Sequence, residues 1–431
     1  MYLLKKFDPC KIITIGFLIA ILIGGFILWL PISHQDHVDV SFIDAIFTAV
    51  SCICVTGLST VDIANTYNTF GFIIMALLIQ IGGLGVVCAA VSIVLLVGQK
   101  IGIKERVLIK DAFNLESVKG IVKFLHSIFK FTFIIEFAGM VLSLIAFLRY
   151  YPLKKALLIS FFHSISAFNN AGFDLIGNYE SLYKFKDDIF INIITSILII
   201  LGGIGFFVIK DVLEKKKFKK LTLHSKITIK STLLLIIGGT LILKFTQKDI
   251  SLLGAFFASV SARTAGFVTY PFSTFNRFGL IIIMLLMFIG ASPSSTGGGI
   301  KTTTLYTLLK GTYAACTNNN CFSFKRQISS ELVNRAFVVV FLGGVVVVTS
   351  SLLVCVFEPA IDFMSILFEC VSAFATVGSS LGITPILCNY SKIILMITMF
   401  IGRVGPLTLL AIWSVKNKKN IIYPKENIII G

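Results

Sequence analysis

Long apolar stretches alternate with short apolar stretches along this chain of 431 residues. The long stretches, of which 12–31, 70–97 and 337–357 are examples, reach the roughly 20 residues that a helix needs to cross a hydrocarbon layer. The short stretches have about 12 to 14 residues, which is too few to cross but suits a re-entrant helix. The pattern therefore predicts an all-α polytopic membrane protein.

The alternation divides the chain into four units, each with a span, a short helix, a glycine-containing loop and a second span. The predicted units are 1–98 (unit 1), 99–214 (unit 2), 215–318 (unit 3) and 319–431 (unit 4, with the C-terminal tail). First spans are predicted near 12–31, 124–148, 228–246 and 336–357, short helices near 43–54, 155–168, 250–262 and 361–374, and second spans near 70–97, 188–212, 278–310 and 391–414. The expected architecture has eight transmembrane helices and four re-entrant pore loops, arranged with pseudo-fourfold symmetry around one pore.

Composition agrees with a membrane protein and excludes an ordinary soluble one. Of the residues 56% are hydrophobic and 14% are charged, with a mean hydropathy of +0.94, whereas soluble domains use roughly 25% charged residues. Nine cysteines are scattered without the spacing of a zinc site, which favours reduced thiols.

The formal net charge of +17 is a topology signal rather than a sign of a nucleic-acid partner. Most basic residues fall in five segments: Lys5–Lys11, Lys100–Lys123, Lys210–Lys230, Lys310–Arg335 and Lys416–Lys425. The positive-inside rule then places both termini and three basic loops in the cytoplasm. Attraction to anionic lipid in the membrane is a further expectation.

One motif recurs in all four units: a Phe, a Ser four positions later and a Gly five or six positions after the Ser. The copies are Phe47–Ser51–Gly57, Phe162–Ser166–Gly172, Phe257–Ser261–Gly266 and Phe368–Ser372–Gly378. A second glycine follows each copy by 25, 30, 24 and 24 residues, at Gly82, Gly202, Gly290 and Gly402. Two motifs that repeat at matched spacing indicate four related loops lining one pore.

The loops have the chemistry of a cation filter. A short helix that stops inside the membrane directs the negative end of its dipole inward, and backbone carbonyls can replace the water around a cation. Glycine permits the backbone conformations that expose those carbonyls. The predicted filter residues are Cys54, Val55, Thr56, Gly57, Asn169, Asn170, Ala171, Gly172, Arg263, Thr264, Ala265, Gly266, Ala375, Thr376, Val377 and Gly378. Asp62 and Asp174 are expected at the mouth, so the filter has no carboxylate ring and suits K+.

The second span of unit 3 is predicted to be broken. The break comprises Ala291, Ser292, Pro293, Ser294, Ser295, Thr296, Gly297, Gly298 and Gly299, followed by Lys301. Backbone without helical hydrogen bonds must be buried in protein or face a pore at membrane depth. Matched spacing with the other units therefore predicts a break at mid-membrane; an extramembrane linker between two half-length helices is the alternative.

Two arginines lie in apolar surroundings. Arg403 falls within the last span and is expected to project into the pore below the filter, the alternative being that it snorkels or pairs structurally. Arg263, just before a filter glycine, is expected to stabilise the loop by binding carbonyls behind it. Glu136 is a candidate buried partner whose pairing the sequence leaves open.

These motifs resemble the Trk/Ktr/HKT superfamily of potassium transporters, over essentially the whole chain. The segments that carry the likeness are 166–173, 261–267 and 376–378. The resemblance is nearest to the membrane subunit of bacterial Ktr-type uptake systems. It implies a gate at 291–299, an arginine at the position of Arg403, and a homodimer on a cytosolic, nucleotide-binding regulatory ring in the bacterial cell membrane. In that family a Ser in the first loop accompanies sodium passage, so Gly57 favours K+.

Alternatives of other classes have less support. An intramembrane enzyme would need a nucleophile–base pair or metal ligands, yet the histidines are isolated and no His-Glu-x-x-His motif occurs. No nucleotide-binding fingerprint is present, so nucleotide control would come from the partner. We therefore expect no enzyme activity and no cofactor beyond transported K+, with Na+ as a possible activator. A sodium-selective or sodium-coupled member of the same superfamily remains the alternative.

Overall fold

The computed structural model describes residues 9–85 and 119–406, together with positions 88, 102, 106, 107 and 110. Within this part of the chain every regular element is helical except for one hairpin of two two-residue strands. The prediction of a mostly helical chain is thus confirmed. The C-terminal tail with Lys416–Lys425, the N-terminal residues Lys5 and Lys6 and the predicted boundary at 98 lie outside the described residues.

The helices follow the predicted order closely. The first helices of the four units are α1 (Pro9–Trp29), α5 (Ile121–Phe147), α9 (Leu223–Thr246) and α13 (Ser330–Phe357). The short helices are α2 (Phe42–Cys54), α6 (Leu153–Phe168), α10 (Leu252–Ser261) and α14 (Phe363–Ala375). The remaining elements are α3 (Ile63–Thr66), α4 (Thr69–Leu84), α7 (Ile189–Ile204), α8 (Phe206–Lys215), α11 (Arg277–Phe288), α12 (Thr302–Cys316), β1 (Phe322–Ser323), β2 (Arg326–Gln327) and α15 (Asn389–Val404).

The second helix of unit 2 is interrupted at a point where the sequence predicted a continuous span. In unit 2, α7 ends at Ile204 and α8 continues at an angle of 94° to it, so the predicted continuous span 188–212 is wrong. Gly205, with φ of 96°, forms the break, because a glycine can adopt the left-handed region that ends a helix. Gly85 and Gly405 follow α4 and α15 with φ of 85° and 92°. Apolar run length did not reveal the break at Gly205, because residues 201–209 are all apolar or glycine.

Each first helix packs against the short helix that follows it. Glycines allow the close approach in units 2 and 3: a methyl group at Gly139 would lie 2.6 Å from the Ser164 hydroxyl oxygen, and Gly239 faces Ser259 in the same way. Between units 4 and 1, Lys392 of α15 forms a 2.7 Å ion pair with Asp44 of α2.

The outer surface of the first helices is apolar. Phe133 on α5, Phe245 on α9 and Val356 on α13 are 70%, 84% and 72% exposed. Such a surface suits hydrocarbon rather than water. By length and composition, three helices of the described residues could cross a membrane, or four if α7 and α8 count as one span.

Candidate functional site

The four glycine loops contact one another in a closed ring. A methyl group added to the glycine of one loop would collide with a backbone carbonyl oxygen of the next loop. The contacts are Gly57 against Ala171, Gly172 against Ala265, Gly266 against Val377 and Gly378 against Thr56. Because the fourth contact returns to the first loop, the loops surround a common centre, with carbonyl oxygens at their closest approach.

The loops also share an unusual backbone conformation. Their glycines have φ of 96°, 71°, 76° and 88°, in chain order. The residue two positions earlier is in the left-handed region as well: Val55 (58°), Asn170 (60°), Thr264 (83°) and Thr376 (52°). Residues other than glycine rarely adopt this backbone region. Four such residues at equivalent positions therefore indicate that function requires this backbone conformation.

The serine of the repeated motif stabilises this conformation. The Ser51 hydroxyl accepts a hydrogen bond from the Gly57 amide (3.0 Å), and Ser372 accepts one from Gly378 (3.1 Å). In unit 3 the Ser261 hydroxyl instead donates to the Phe267 carbonyl (2.6 Å). In each unit the Ser carbonyl also accepts from the amide of the residue before the glycine. The sequence showed the recurrence of this serine but not its role.

Behind the loop of unit 2 lies a buried amide–carboxylate cluster. The Asn169 side chain donates to the side-chain oxygens of Gln80 (2.8 Å) and Glu136 (2.9 Å). Gln80 in turn donates to the second Glu136 oxygen at 3.1 Å. Glu136, left unassigned by the sequence, thus contacts Asn169 rather than Arg263. Gln80 was missed; a polar residue in an otherwise apolar run was the available signal.

Arg263 occupies the corresponding position in unit 3. Its side chain is 5% exposed, and its guanidinium donates to the Thr232 carbonyl of α9 at 3.5 Å. The bond reaches across to the first helix of the unit.

The interrupted segment of unit 3 lies against the second helix of unit 2. The amides of Ser292 and Thr296 donate to the carbonyls of Gly203 (3.0 Å) and Gly202 (3.3 Å). The Phe206 amide donates to the Ser294 carbonyl at 2.9 Å. Residues 289–301 therefore form an ordered loop inside the protein.

The same loop contacts the glycine loop of unit 4 and folds back on itself. The Gly298 amide donates to the Thr376 hydroxyl (3.0 Å), and Gly297 lies against the Thr264 side chain. Lys301 donates to the carbonyls of Gly297 (2.6 Å) and Gly298 (3.2 Å). These contacts involve residues that precede the loop glycines, so the segment lies on one side of the glycine ring.

Arg403 joins three units. Its guanidinium donates to the carbonyls of Thr296 in the unit 3 loop and Gly82 in unit 1, and lies 3.4 Å from the Gly83 carbonyl. The side chain is partly buried, and its charge lies next to the interrupted segment.

A cavity of about 400 Å³ occupies the other side of the ring. All four loop glycines line it, together with residues that follow them, including Asp62 and Asp174. Burial raises the pKa of Asp174 to about 6; the Ile176 amide opposes this rise, and the nearby Asp62 carboxylate adds to it. The mouth of the ring therefore carries acidic groups, one of which, Asp174, has a pKa raised above the usual range of a carboxylate.

Three comparisons with known proteins agree. A family profile described as "Cation transport protein" (TrkH) matches residues 8–422. The potassium/sodium uptake protein NtpJ of Enterococcus hirae is 36% identical over 99% of this chain and 98% of its own length. The Ktr system potassium uptake protein B of Bacillus subtilis is also 36% identical, over 99% and 97%. The crystal structure of the potassium transporter TrkH from Vibrio parahaemolyticus has the same fold, with a TM-score of 0.73, 20% identity and coverage of 93% and 84%.

Proposed function

The chain belongs to the TrkH family of cation transport proteins, and on that premise we propose that it carries K+ across a membrane through the ring of four glycine loops. It is a transporter and not an enzyme. The names of full-length relatives support the choice of ion, since they describe potassium or potassium/sodium uptake. The main observation behind the proposed ion path is the closed ring of contacts between loop glycines and backbone carbonyls.

The proposed filter consists of the four residues that end at each loop glycine. Carbonyl oxygens near a common centre can replace the hydration shell of a monovalent cation. The negative ends of α2, α6, α10 and α14 add to the attraction for a cation. The cavity with Asp62 and Asp174 would be the entrance, where acidic groups raise the local cation concentration.

The proposed gate is the segment 291–299 with Lys301 and Arg403. The segment contacts Thr264 and Thr376 of the proposed filter, and two basic side chains bind its carbonyls. Positive charge next to the path raises the barrier for an arriving cation. Movement of this segment, with release of the Arg403 bonds, would open the path.

The same family membership supports a proposal for the wider assembly. We propose eight spans and four re-entrant loops with pseudo-fourfold symmetry, in the units 1–98, 99–214, 215–318 and 319–431. The named Ktr relatives support a multi-component system. We accordingly propose a homodimer on a cytosolic nucleotide-binding ring, in a bacterial cell membrane, with cytoplasmic termini. The potassium/sodium name of one relative supports Na+ as an activator or second cargo.

The test is uptake of Rb+ into vesicles that contain the purified chain, with Na+ and Li+ as competitors. We compare Gly378→Ser with Gly382→Ser, since both glycines have positive φ (88° and 92°) but only Gly378 is crowded by the next loop. We expect Gly378→Ser to lose the preference for Rb+ over Na+ and Gly382→Ser to retain it. An unchanged preference in Gly378→Ser would refute the filter.

A further inference from the structure

The N-terminal end of helix α8 contacts the interrupted segment of unit 3. The Phe206 amide, at the first residue of α8, donates to the Ser294 carbonyl at 2.9 Å. A methyl group at Gly205 would lie 2.5 Å from the Pro293 carbonyl oxygen, so the backbones are in close contact. Any force that holds or moves α8 therefore acts on the segment that we propose as the gate.

The C-terminal end of α8 and the residues that follow it, up to Lys220, carry apolar and basic side chains side by side. Val212, Leu213 and Phe218 are 39%, 52% and 49% exposed. The sequence after Glu214 is Lys215-Lys216-Lys217-Phe218-Lys219-Lys220, and Lys216, Lys217, Lys219 and Lys220 are all exposed. Exposed apolar groups next to a lysine cluster are typical of segments that lie at an anionic membrane surface.

The segment is fixed in position relative to the start of α9. Asp211 accepts hydrogen bonds from the Thr222 amide (2.9 Å) and the Ser225 hydroxyl (2.7 Å) and pairs with Lys215 (2.6 Å). The bend of 94° directs α8 away from the axis of α7. If α7 crosses the membrane, α8 lies along its surface, level with the first turn of α9.

We propose that residues 212–220 bind the headgroups of anionic phospholipids and so hold the gate segment through α8. The lysines supply the charge complementarity, and the neighbouring apolar side chains select a lipid surface over a dissolved anion or an acidic protein. Bound lipid stabilises the Phe206–Ser294 contact, and basal ion flux is then low. The effect on flux rests on the proposed transport function; the binding itself does not.

Binding is tested with Phe218→Trp in vesicles that contain brominated phosphatidylglycerol or brominated phosphatidylcholine. The signal of Trp29 and Trp413 is subtracted by using the unchanged chain. We expect stronger quenching by the brominated phosphatidylglycerol. Adding Lys216→Gln and Lys217→Gln should weaken binding to phosphatidylglycerol vesicles about 25-fold, since each of the two lysines contributes a factor of about five. Equal quenching by the two lipids would overturn the proposal.

The effect on the gate is tested by Rb+ flux in the same two kinds of vesicle. The control pair is Lys154→Gln with Lys155→Gln, which also removes two adjacent exposed lysines. We expect phosphatidylglycerol to lower the basal flux of the unchanged chain and of the control, but not of the Lys216/Lys217 variant. The same lipid response in all three would overturn the link to the gate. Absence of flux in every vesicle would instead count against the transport function, while the quenching result would still decide lipid binding.

Discussion

Units 2 and 3 support the same loop backbone with different side chains. In unit 2 the residue three positions before the glycine is Asn169, which binds Gln80 and the carboxylate of Glu136. In unit 3 the residue at this position is Arg263. Glu136 lies three residues before Gly139 of α5, and the residue three positions before the matching Gly239 of α9 is Ile236. The loops nevertheless have the same left-handed residues and the same ring contact. What the units share is therefore a backbone arrangement, as the proposed coordination of K+ by carbonyl oxygens would require.

The second helices of these two units differ in a complementary way. Unit 2 is interrupted at one residue, Gly205, whereas unit 3 is interrupted from Ile289 to Lys301. The unit 3 segment binds carbonyls of Gly202 and Gly203, next to the unit 2 interruption. The break in one unit thus supplies the binding surface for the long segment of the other.

The largest expected difference between the units concerns two matched glycines: Gly202, within α7 of unit 2, and Gly290, just after α11 of unit 3. At Gly202 a methyl group would collide with the Phe168 carbonyl of the short helix, whereas at Gly290 it would meet the gate segment at Gly298 (2.5 Å). We expect Gly202→Ala to destabilise the fold by more than about 3 kcal/mol. Gly290→Ala should fold and raise basal Rb+ flux. Thermal unfolding in detergent and vesicle flux measure the two effects.

The control is Gly238→Ala, at a helical glycine with open space around it. It should be neutral or stabilise α9 by about 0.5–1 kcal/mol. If Gly202→Ala is as stable as this control, the close approach of α7 to α6 is not required for the fold.

Removal of the Arg403 side chain should have the next largest effect. Its bonds to Thr296 and Gly82 connect the gate segment to units 4 and 1, and hydrogen bonds to a charged group are worth about 1.5–3 kcal/mol each. Arg403→Ala should raise Rb+ leak about tenfold or more. Arg403→Lys should give an intermediate value, because a single ammonium cannot reproduce the guanidinium geometry. A flux that falls in a correctly inserted Arg403→Ala protein would contradict the gate.

A smaller effect is expected when unit 2 is made to match unit 3 by Glu136→Ile. The amides of Gln80 and Asn169 would lose their carboxylate acceptor in a buried site, which costs about 1–3 kcal/mol. The expected result is a lower midpoint of thermal unfolding and a reduced preference for Rb+ over Na+. Glu136→Gln keeps an acceptor oxygen and should lose much less. Equal stability of both variants and the unchanged chain would show that the cluster does not support the loop.

The sequence predicted the order of the helices and the bounds of the first and short helices well, because apolar run length and repeated motifs are local properties. The break at Gly205 was missed, since neighbouring glycines are equally compatible with close helix packing. The Gln80–Glu136–Asn169 cluster was also missed. Gln80 and Glu136 are 56 residues apart, and Glu136 and Asn169 are 33 residues apart, so the three side chains come from separate parts of the chain. The sequence showed that each of these residues is polar, but which of them bind one another depends on how the units pack.

The smallest expected effect concerns the mouth, where units 2 and 3 differ again. Two residues after the loop glycine, unit 2 has Asp174 and unit 3 has Val268, and both line the cavity. Since the pKa of Asp174 is raised to about 6, mainly by burial, its carboxylate is charged at pH 7.5 and largely neutral at pH 5. Uptake of Rb+ at low concentration should therefore fall about twofold to fivefold between these external pH values, because a negative mouth concentrates cations.

Asp174→Val makes the mouth of unit 2 match that of unit 3 and should remove this pH dependence, with uptake at pH 7.5 reduced to the level of the unchanged chain at pH 5. Asp174→Asn is the control for side-chain shape and should give the same flat profile. Because the effect is electrostatic, raising the ionic strength with an impermeant salt should weaken the pH dependence of the unchanged chain. A pH profile that survives both substitutions would assign the titration to another group at the mouth and remove Asp174 from the account of cation entry.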